Sequence, residues 1–464
     1  MADAVIDAVL ARIDADIDES VERLFALLRI ASISTDPDHA RACAEAANWC
    51  ADTLNGLGFV AGTRPTPGHP MVVGHRTDAT AAGPHVLFYG HYDVQPVDPL
   101  ELWHTDPFAP RLAEDEAGRK VIVARGAADD KGQLLTFVEA CRAWIAVHGR
   151  LPVPVTILFE GEEESGSPSL VPFLEANAKE LSHDVALICD TGMWDRETPA
   201  INSSLRGLVG EEIVITAASK DLHSGLFGGA ARNPNHVLAK ILADLHDENG
   251  HVRVPGFYDG VAETPAAIRA QWDSLGMTAE TFLGGIGLKY PAGEGGRSVL
   301  EQVWARPTAE VNGMIGGYTG PGFKTVIPSR ASAKVSFRLV GGQDPETIRA
   351  AFREFVAARV PGDCSVAFHA HGGSPGLSVD IDSPHMARSL KALSDEWPKP
   401  AVVIGSGGSI PIVGYFKDIL GMDSLLIGFG HADDQIHSPN EKYDLASFHK
   451  GIRSWARVLA ELAE

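Results

Sequence analysis

Cysteine is scarce in this chain, with five among 464 residues. An odd and scattered set of that size argues against a disulfide framework. Cys43 and Cys50 lie seven apart in a helical pattern. That is about 10 Å at ~1.5 Å per residue, beyond the ~7 Å limit for a bridge, so both read as buried thiols. Long apolar runs are missing too, since none approaches the roughly 18 residues that a bilayer span needs. The opening "MADAVIDAVLARIDADIDES" lacks a basic region followed by an apolar one. These absences predict a cytoplasmic protein with no membrane partner. Excess positive charge is absent as well. A formal net charge of −22 argues against a broad surface for nucleic acid or anionic lipid and leaves small molecules and cations as partners. There is no internal repeat and no low-complexity tract.

What is present is a globular composition, 45% hydrophobic and 22% charged, at a length that suggests two cores. Ile6, Val9, Ile13, Ile17, Val21, Leu24 and Leu28 recur at three- and four-residue steps and predict one amphipathic helix. A second helix follows, stopping at Gly56 and Gly58. Four short apolar runs come next: "HVLFYG" (85–90), "KVIVARG" (120–126), "VPVTILFE" (153–160) and "DVALICD" (184–190). Continuous rather than alternating hydrophobicity predicts strands buried on both faces of an α/β sheet covered by helices. Near residue 205 the texture changes. "GLVGEEIVITAAS" and "SAKVSFRLVGG" alternate like half-exposed strands, and two helical runs lie among them. "GGIGLKYPAGEGG" and "GMIGGYTGPGFKTVIP" read as irregular loops. The first texture then returns. The expected organisation is a catalytic domain at 1–205 and 383–464 with an α+β domain inserted at 206–382.

Each buried run ends in metal-ligand residues: "HYD", "AADDKG", "EGEEESG" and "DTG". In open α/β sheets ligands bind at the carboxyl ends of the strands, so these four ends should converge on one crevice. Taken singly, "HxD" is also a surface turn, Asp129 or Asp130 could simply cap a helix, and an acidic run usually faces water. Together, so many carboxylates would repel one another unless a divalent cation joined them. With a late histidine from "HADDQIHSPNEKY", the donor set suits zinc, manganese or cobalt.

The ordered set "GHYDVQP", "RGAADDKGQ", "EGEEESGS", "DLHSGLFGG", "KTVIP", "FRL", "GGSIP" and "DDQIHSPNEKY" spans nearly the whole chain. It resembles the dinuclear zinc metallopeptidases of family 20 (clan MH), in the branch of carnosinase and cytosolic non-specific dipeptidase. The resemblance implies a zinc aminopeptidase-like catalytic domain with a mainly parallel sheet, and an inserted lid or dimerisation domain. It implies two divalent ions per chain, Zn2+ foremost with Mn2+ or Co2+ as alternatives. His91 and Asp190 would hold one ion and Glu164 and His437 the other, with Asp129 bridging. It makes Glu163 the general base, Asp93 the orienting partner of His91, and the bond from Asp129 to Asp130 cis. His223 would donate to the oxyanion in the partner subunit of a homodimer, and Thr325 would enter that site with it. Arg338 would fork onto the substrate's C-terminal carboxylate, with His371 and Ser409 nearby. Glu162 stands where this branch often has an apolar residue, which leaves it a surface or supporting candidate.

The function this implies is metal-dependent hydrolysis of dipeptides or short peptides with a free C-terminal carboxylate. The alternatives are an amidohydrolase of N-acyl amino acids, a catalytically silent peptide-binding homologue, and a glycosidase-like pair of carboxylates that needs no metal.

Overall fold

A computed structural model describes residues 2–79, 83–408 and 411–464. The chain forms two compact units. The first contains Met1–Ser203, Val379–Val403 and Ile412–Glu464, and the second Ser204–Ser378 with Ile404–Pro411.

The sheet of the first unit runs in the order Val60–Arg64, Met71–Arg76, Val155–Glu160, Val86–His91, Val185–Ile188, Asp423–Ile427, Ala200–Leu205. Its middle four strands are parallel, and the flanking ones are antiparallel. All six residues of both Val86–His91 and Val155–Glu160 are buried, as expected for strands covered on both faces. Register pairs His91 with Glu160 and Tyr89 with Ile188, so three carboxyl ends emerge along one edge. The helix Lys131–His148, buried along its first eleven residues, packs with Leu445–Leu462. Phe88 stacks on Phe137 at 3.8 Å between ring centroids, and Trp455 meets Phe88 edge-on at 5.5 Å. Cys43 and Cys50 are buried and unbridged, and burial pushes both thiols up to about 12. Among the described residues no helix is long and apolar enough to cross a membrane.

Two expectations change here. The first stripe is broken into two helices, Ala2–Ala15 and Ile17–Leu28, because Asp16 leaves helical geometry at φ −100 and ψ 8. Periodicity continues across the break because both helices bury the same face. The second correction concerns Lys120–Val123, which is absent from the central sheet. It lies between Arg111–Glu114 and Lys442–Asp444 in a three-stranded antiparallel sheet. It begins with an exposed Lys120, whereas Val185–Ile188, equally short but buried throughout, sits in the central sheet. The pairing instead brings the loop after Val123 beside the segment that carries His437.

The second unit is built on an antiparallel sheet ordered Thr308–Gly316, Arg330–Leu339, Gly207–Thr216, Ser365–Ser374. Burial alternates residue by residue along Gly207–Thr216. The odd positions join Val237, Leu238, Ile348 and Phe352 of the helices Pro234–Ala243 and Pro345–Ala357 in one core, and the even positions face away from it. Asn233 and Asp344 cap these helices by accepting from Asn235 and Thr347 backbone N–H groups, each followed by proline at the first helical position. The run read as a loop from 313 begins inside the strand Thr308–Gly316, and Val326–Ile327 is a short strand. Between them the chain is irregular, with a left-handed Gly317.

Candidate active site

The four glutamates of "EGEEESG" are not equivalent. Glu160, the last residue of its strand, is fully buried and accepts from the Tyr89 hydroxyl at 2.6 Å, and burial pushes its carboxyl up to about 7. Glu162 is buried rather than on the surface. It accepts from the backbone N–H of His69 at 2.9 Å and of Ser169 at 3.1 Å, and the space it fills exists because residue 68 is glycine. Glu164 is turned inward with its side chain 3% exposed. It accepts from Gln95 Nε2 at 2.7 Å, while its own N–H donates to Asp93 Oδ2 at 3.0 Å. Glu163 stands half-buried beside them.

Around these residues two ligand groups form, His91–Asp129–Asp190 and Asp129–Glu164–His437, each with its donor atoms within 4.8 Å of one another. Asp129 belongs to both through different oxygens. Its Oδ1 is 3.1 Å from His91 Nε2, and its Oδ2 is 2.9 Å from His437 Nε2. Asp190 Oδ2 is 3.9 Å from His91 Nε2, and Glu164 Oε2 is 3.3 Å from His437 Nε2. The opposite nitrogen of His91 faces Asp93, 3.2 Å from its carbonyl oxygen and 3.3 Å from Oδ1. This is the outer support that metal-binding histidines use. The peptide bond from Asp129 to Asp130 is cis.

Two further carboxylates hold this geometry. Glu441 is fully buried and accepts from the backbone N–H groups of Gly126, Ala128 and Asp129 and from Arg125 Nη1, between 2.8 and 3.1 Å. It straps the Asp129 loop to the segment bearing His437. Asp130 begins the helix Lys131–His148 without capping it. It accepts instead from the His91 N–H at 3.0 Å, and burial pushes its carboxyl up to about 7. Gln95 and Glu441 lie inside "GHYDVQP" and "SPNEKY", but no spacing rule separates them from their neighbours.

The charges conflict when only protein groups are counted. Burial, then the negative charges of Asp129 and Asp130, push Asp190 well above the usual carboxylate range. Burial also raises Glu163, against the pull of His91. Burial opposes ionisation of Asp129, but hydrogen bonds from His437 and His91 hold it below that range. The bond to Asp129 and then that to Glu164 raise His437 to about 10. A nitrogen-and-oxygen donor set under such mutual repulsion fits two divalent cations sharing Asp129.

The remaining candidates lie in the second unit. His223 is exposed, and its Nδ1 accepts from the Gly225 N–H at 3.0 Å. In the neutral ring that bond leaves the proton on Nε2, free to donate. Strand pairing sets His223 opposite Val326, next to Thr325, whose carbonyl accepts from the Ser224 N–H. Arg338 is half-buried on the face of the sheet away from the core. His371 lies over Gly210, where an added Cβ would come within 3.1 Å of the His371 Cβ. Ser409 lies outside the described residues.

The model of peptidase family M20/M25/M40 matches residues 87–461. The chain belongs to this family. Of its relatives, a Cys-Gly metallodipeptidase of Schizosaccharomyces pombe is 32% identical across 99% of this chain and 98% of its own. A metallo-carboxypeptidase of the M20 family from Sulfolobus solfataricus has a TM-score of 0.77 and 31% identity, covering 96% of this chain and 99% of its own. Human carnosine dipeptidase 1 has a TM-score of 0.73 and 27% identity, with 99% of each chain covered. The fold is therefore that of the M20 peptidases, and the matched span contains every candidate ligand from His91 to His437.

Proposed function

We propose that this M20 peptidase is a dinuclear metal-dependent dipeptidase, cleaving dipeptides or short peptides that carry a free C-terminal carboxylate. The observation that carries the reading is the Asp129 carboxylate, with one oxygen in each of two ligand groups. The names of the relatives, two of them dipeptidases, support the substrate class.

Two divalent ions held by His91, Asp129, Asp190, Glu164 and His437, Zn2+ foremost, would supply Lewis acidity at the scissile carbonyl and the attacking water. Glu163 takes the proton of that water and returns one to the leaving amine. A carboxyl raised by burial is a stronger base than an ordinary one and suits the task. Asp93 holds His91 in orientation. His223 offers its Nε2–H to the developing oxyanion from the partner subunit of a homodimer, with Thr325 beside it. Arg338 forks onto the substrate carboxylate, and His371 lines the same subsite, while Ser409, expected beside it, lies outside the described residues. In this reading 1–205 and 383–464 form the catalytic domain, 206–382 form the lid and dimerisation domain, and the protein works in the cytoplasm.

The test is a turnover panel of dipeptides beside N-acetyl amino acids, with metal analysis of the same preparation. Dipeptide turnover, two ions per chain and loss of activity on chelation are expected. Turnover of the N-acetyl substrates alone would make the protein an amidohydrolase, and full activity with fewer than two ions would end the dinuclear reading.

A further inference from the structure

The face of the second unit's sheet that lies away from the core forms the floor of a cavity of about 820 Å³, walled by the segment from His246 to Arg306. Three arginines line it, Arg206, Arg306 and Arg338. Arg338 comes from the strand Arg330–Leu339, and Arg206 directly precedes the strand Gly207–Thr216, where Leu208 is the register partner of Arg338. Other arginines of this unit are neutralised: Arg306 by Glu294 at 2.9 Å, and Arg349 and Arg353 by Glu211 at 2.9 Å. Neither Arg206 nor Arg338 has a carboxylate within ion-pair distance among the described residues. The acids of the lining are engaged or solvated. Glu294 belongs to Arg306, Asp247 accepts from backbone N–H groups, and Glu248 and Glu310 are exposed. Arg206 is half-buried and is aimed by a hydrogen bond from its Nε to the Gly407 carbonyl at 3.4 Å. A Cβ at Gly407 would come within 3.0 Å of Arg206 Nη2. Burial first, then the charge of Arg338, lower Arg206 to about 10, while the charge of exposed Glu310 opposes. Two guanidinium groups turned into one cavity without a counter-ion repel, and a planar anion between them removes that cost.

We infer that Arg206 is a second carboxylate-gripping residue, which with Arg338 binds the C-terminal carboxylate of the peptide substrate in this cavity. The inference rests on the dipeptidase reading, and it adds a specificity determinant to it. Arg206 and Arg338 together supply two forks, so a free acid is selected over its amide by charge as well as by hydrogen-bond count.

Binding, separate from turnover, tests it. Calorimetric titration of the metal-loaded Glu163→Gln protein with Ala-Ala and with Ala-Ala amide should give tighter binding of the acid. Adding Arg206→Ala should weaken the acid about 10- to 100-fold, leave the amide within about two-fold, and so erase the preference. Arg206→Lys should restore part of it, because a point charge replaces the fork. An Arg206→Ala protein that keeps the preference, or loses acid and amide equally, overturns the inference, and so does an original protein that does not distinguish the two. Each of these binding results is independent of whether the active enzyme turns over dipeptides, which tests the dipeptidase reading alone.

Discussion

The candidate site residues of the two units are held in different ways. In the first, His91, Asp93, Asp129 and Glu441 are buried and each is held by neighbouring protein atoms. In the second, Arg206, Arg338, His371 and His223 are half-buried or exposed, and among the described residues none is engaged by a carboxylate. Burial explains the difference. A buried carboxylate or imidazole must be satisfied in place, so its geometry is set before any ligand arrives. Half-buried and exposed groups can leave bonding capacity to water or to a ligand.

That contrast predicts graded effects. The sharpest lies within one acidic run. Glu163→Gln should retain both metals and lose about 10²- to 10⁴-fold in turnover, whereas Glu164→Gln should lower metal content at one site. Equal metal content and near-normal rates in both would dissolve the distinction between the two side chains.

Next in size is Glu441→Ala. It leaves Arg125, 1% exposed, without its carboxylate, at a cost of about 3 to 5 kcal/mol. Urea unfolding should register that loss, and metal affinity should fall as the Asp129 loop loosens. An unchanged midpoint would contradict the role of Glu441 as a strap.

For the second unit the expected signature is catalytic without being structural. His223→Ala should cost about 10²- to 10³-fold in turnover with metal content and stability unchanged. Subunit exchange between His223→Ala and Glu163→Ala proteins, each nearly dead alone, should restore up to about half of the original activity per mixed dimer, because one of the two sites is then intact. No recovery after verified exchange would place His223 in its own subunit's site or outside catalysis.

The smallest effect tests an exception in the first unit. His183 stacks on His85 with ring centroids 3.6 Å apart, and its Nε2 is buried without a partner. Burial, then His85 and His75, lower it to about 4, while Asp184 opposes. The ring is neutral in the fold. Its contribution to stability is therefore complete above the unfolded value of about 6.5 and lost as pH falls from there toward 4. Between pH 7 and 5 the urea midpoint should drop more in the original protein than in His183→Asn, and equal drops would remove the pair from the acid response.

Much of this was legible in the chain. Strands buried on both faces and strands that alternate differ in their apolar pattern, so the two textures and the α/β class could be read directly. The ordered motifs sufficed for the family, since eight short patterns in one order are far more specific than any one of them. They also name Glu163 and Glu164 as different, a distinction that composition erases.

Other features depend on contacts distant in sequence. The first stripe hid a break at Asp16, because two helices sharing a buried face keep one period. "KVIVARG" looked like a central strand, because a four-residue run does not reveal which sheet it joins. Glu162 stood open between a surface and a supporting place, and Gly68, far away in sequence, makes the room that buries it. Asp129 stands between His91 and His437 only because Lys120–Val123 pairs with Lys442–Asp444, more than 300 residues on, and Glu441 straps the intervening loop. Local pattern determines which faces are apolar and which residue types end each strand. Which of those ends meet, and which carboxylate is buried, is decided by long-range pairing and packing, whose partners a one-dimensional pattern does not encode.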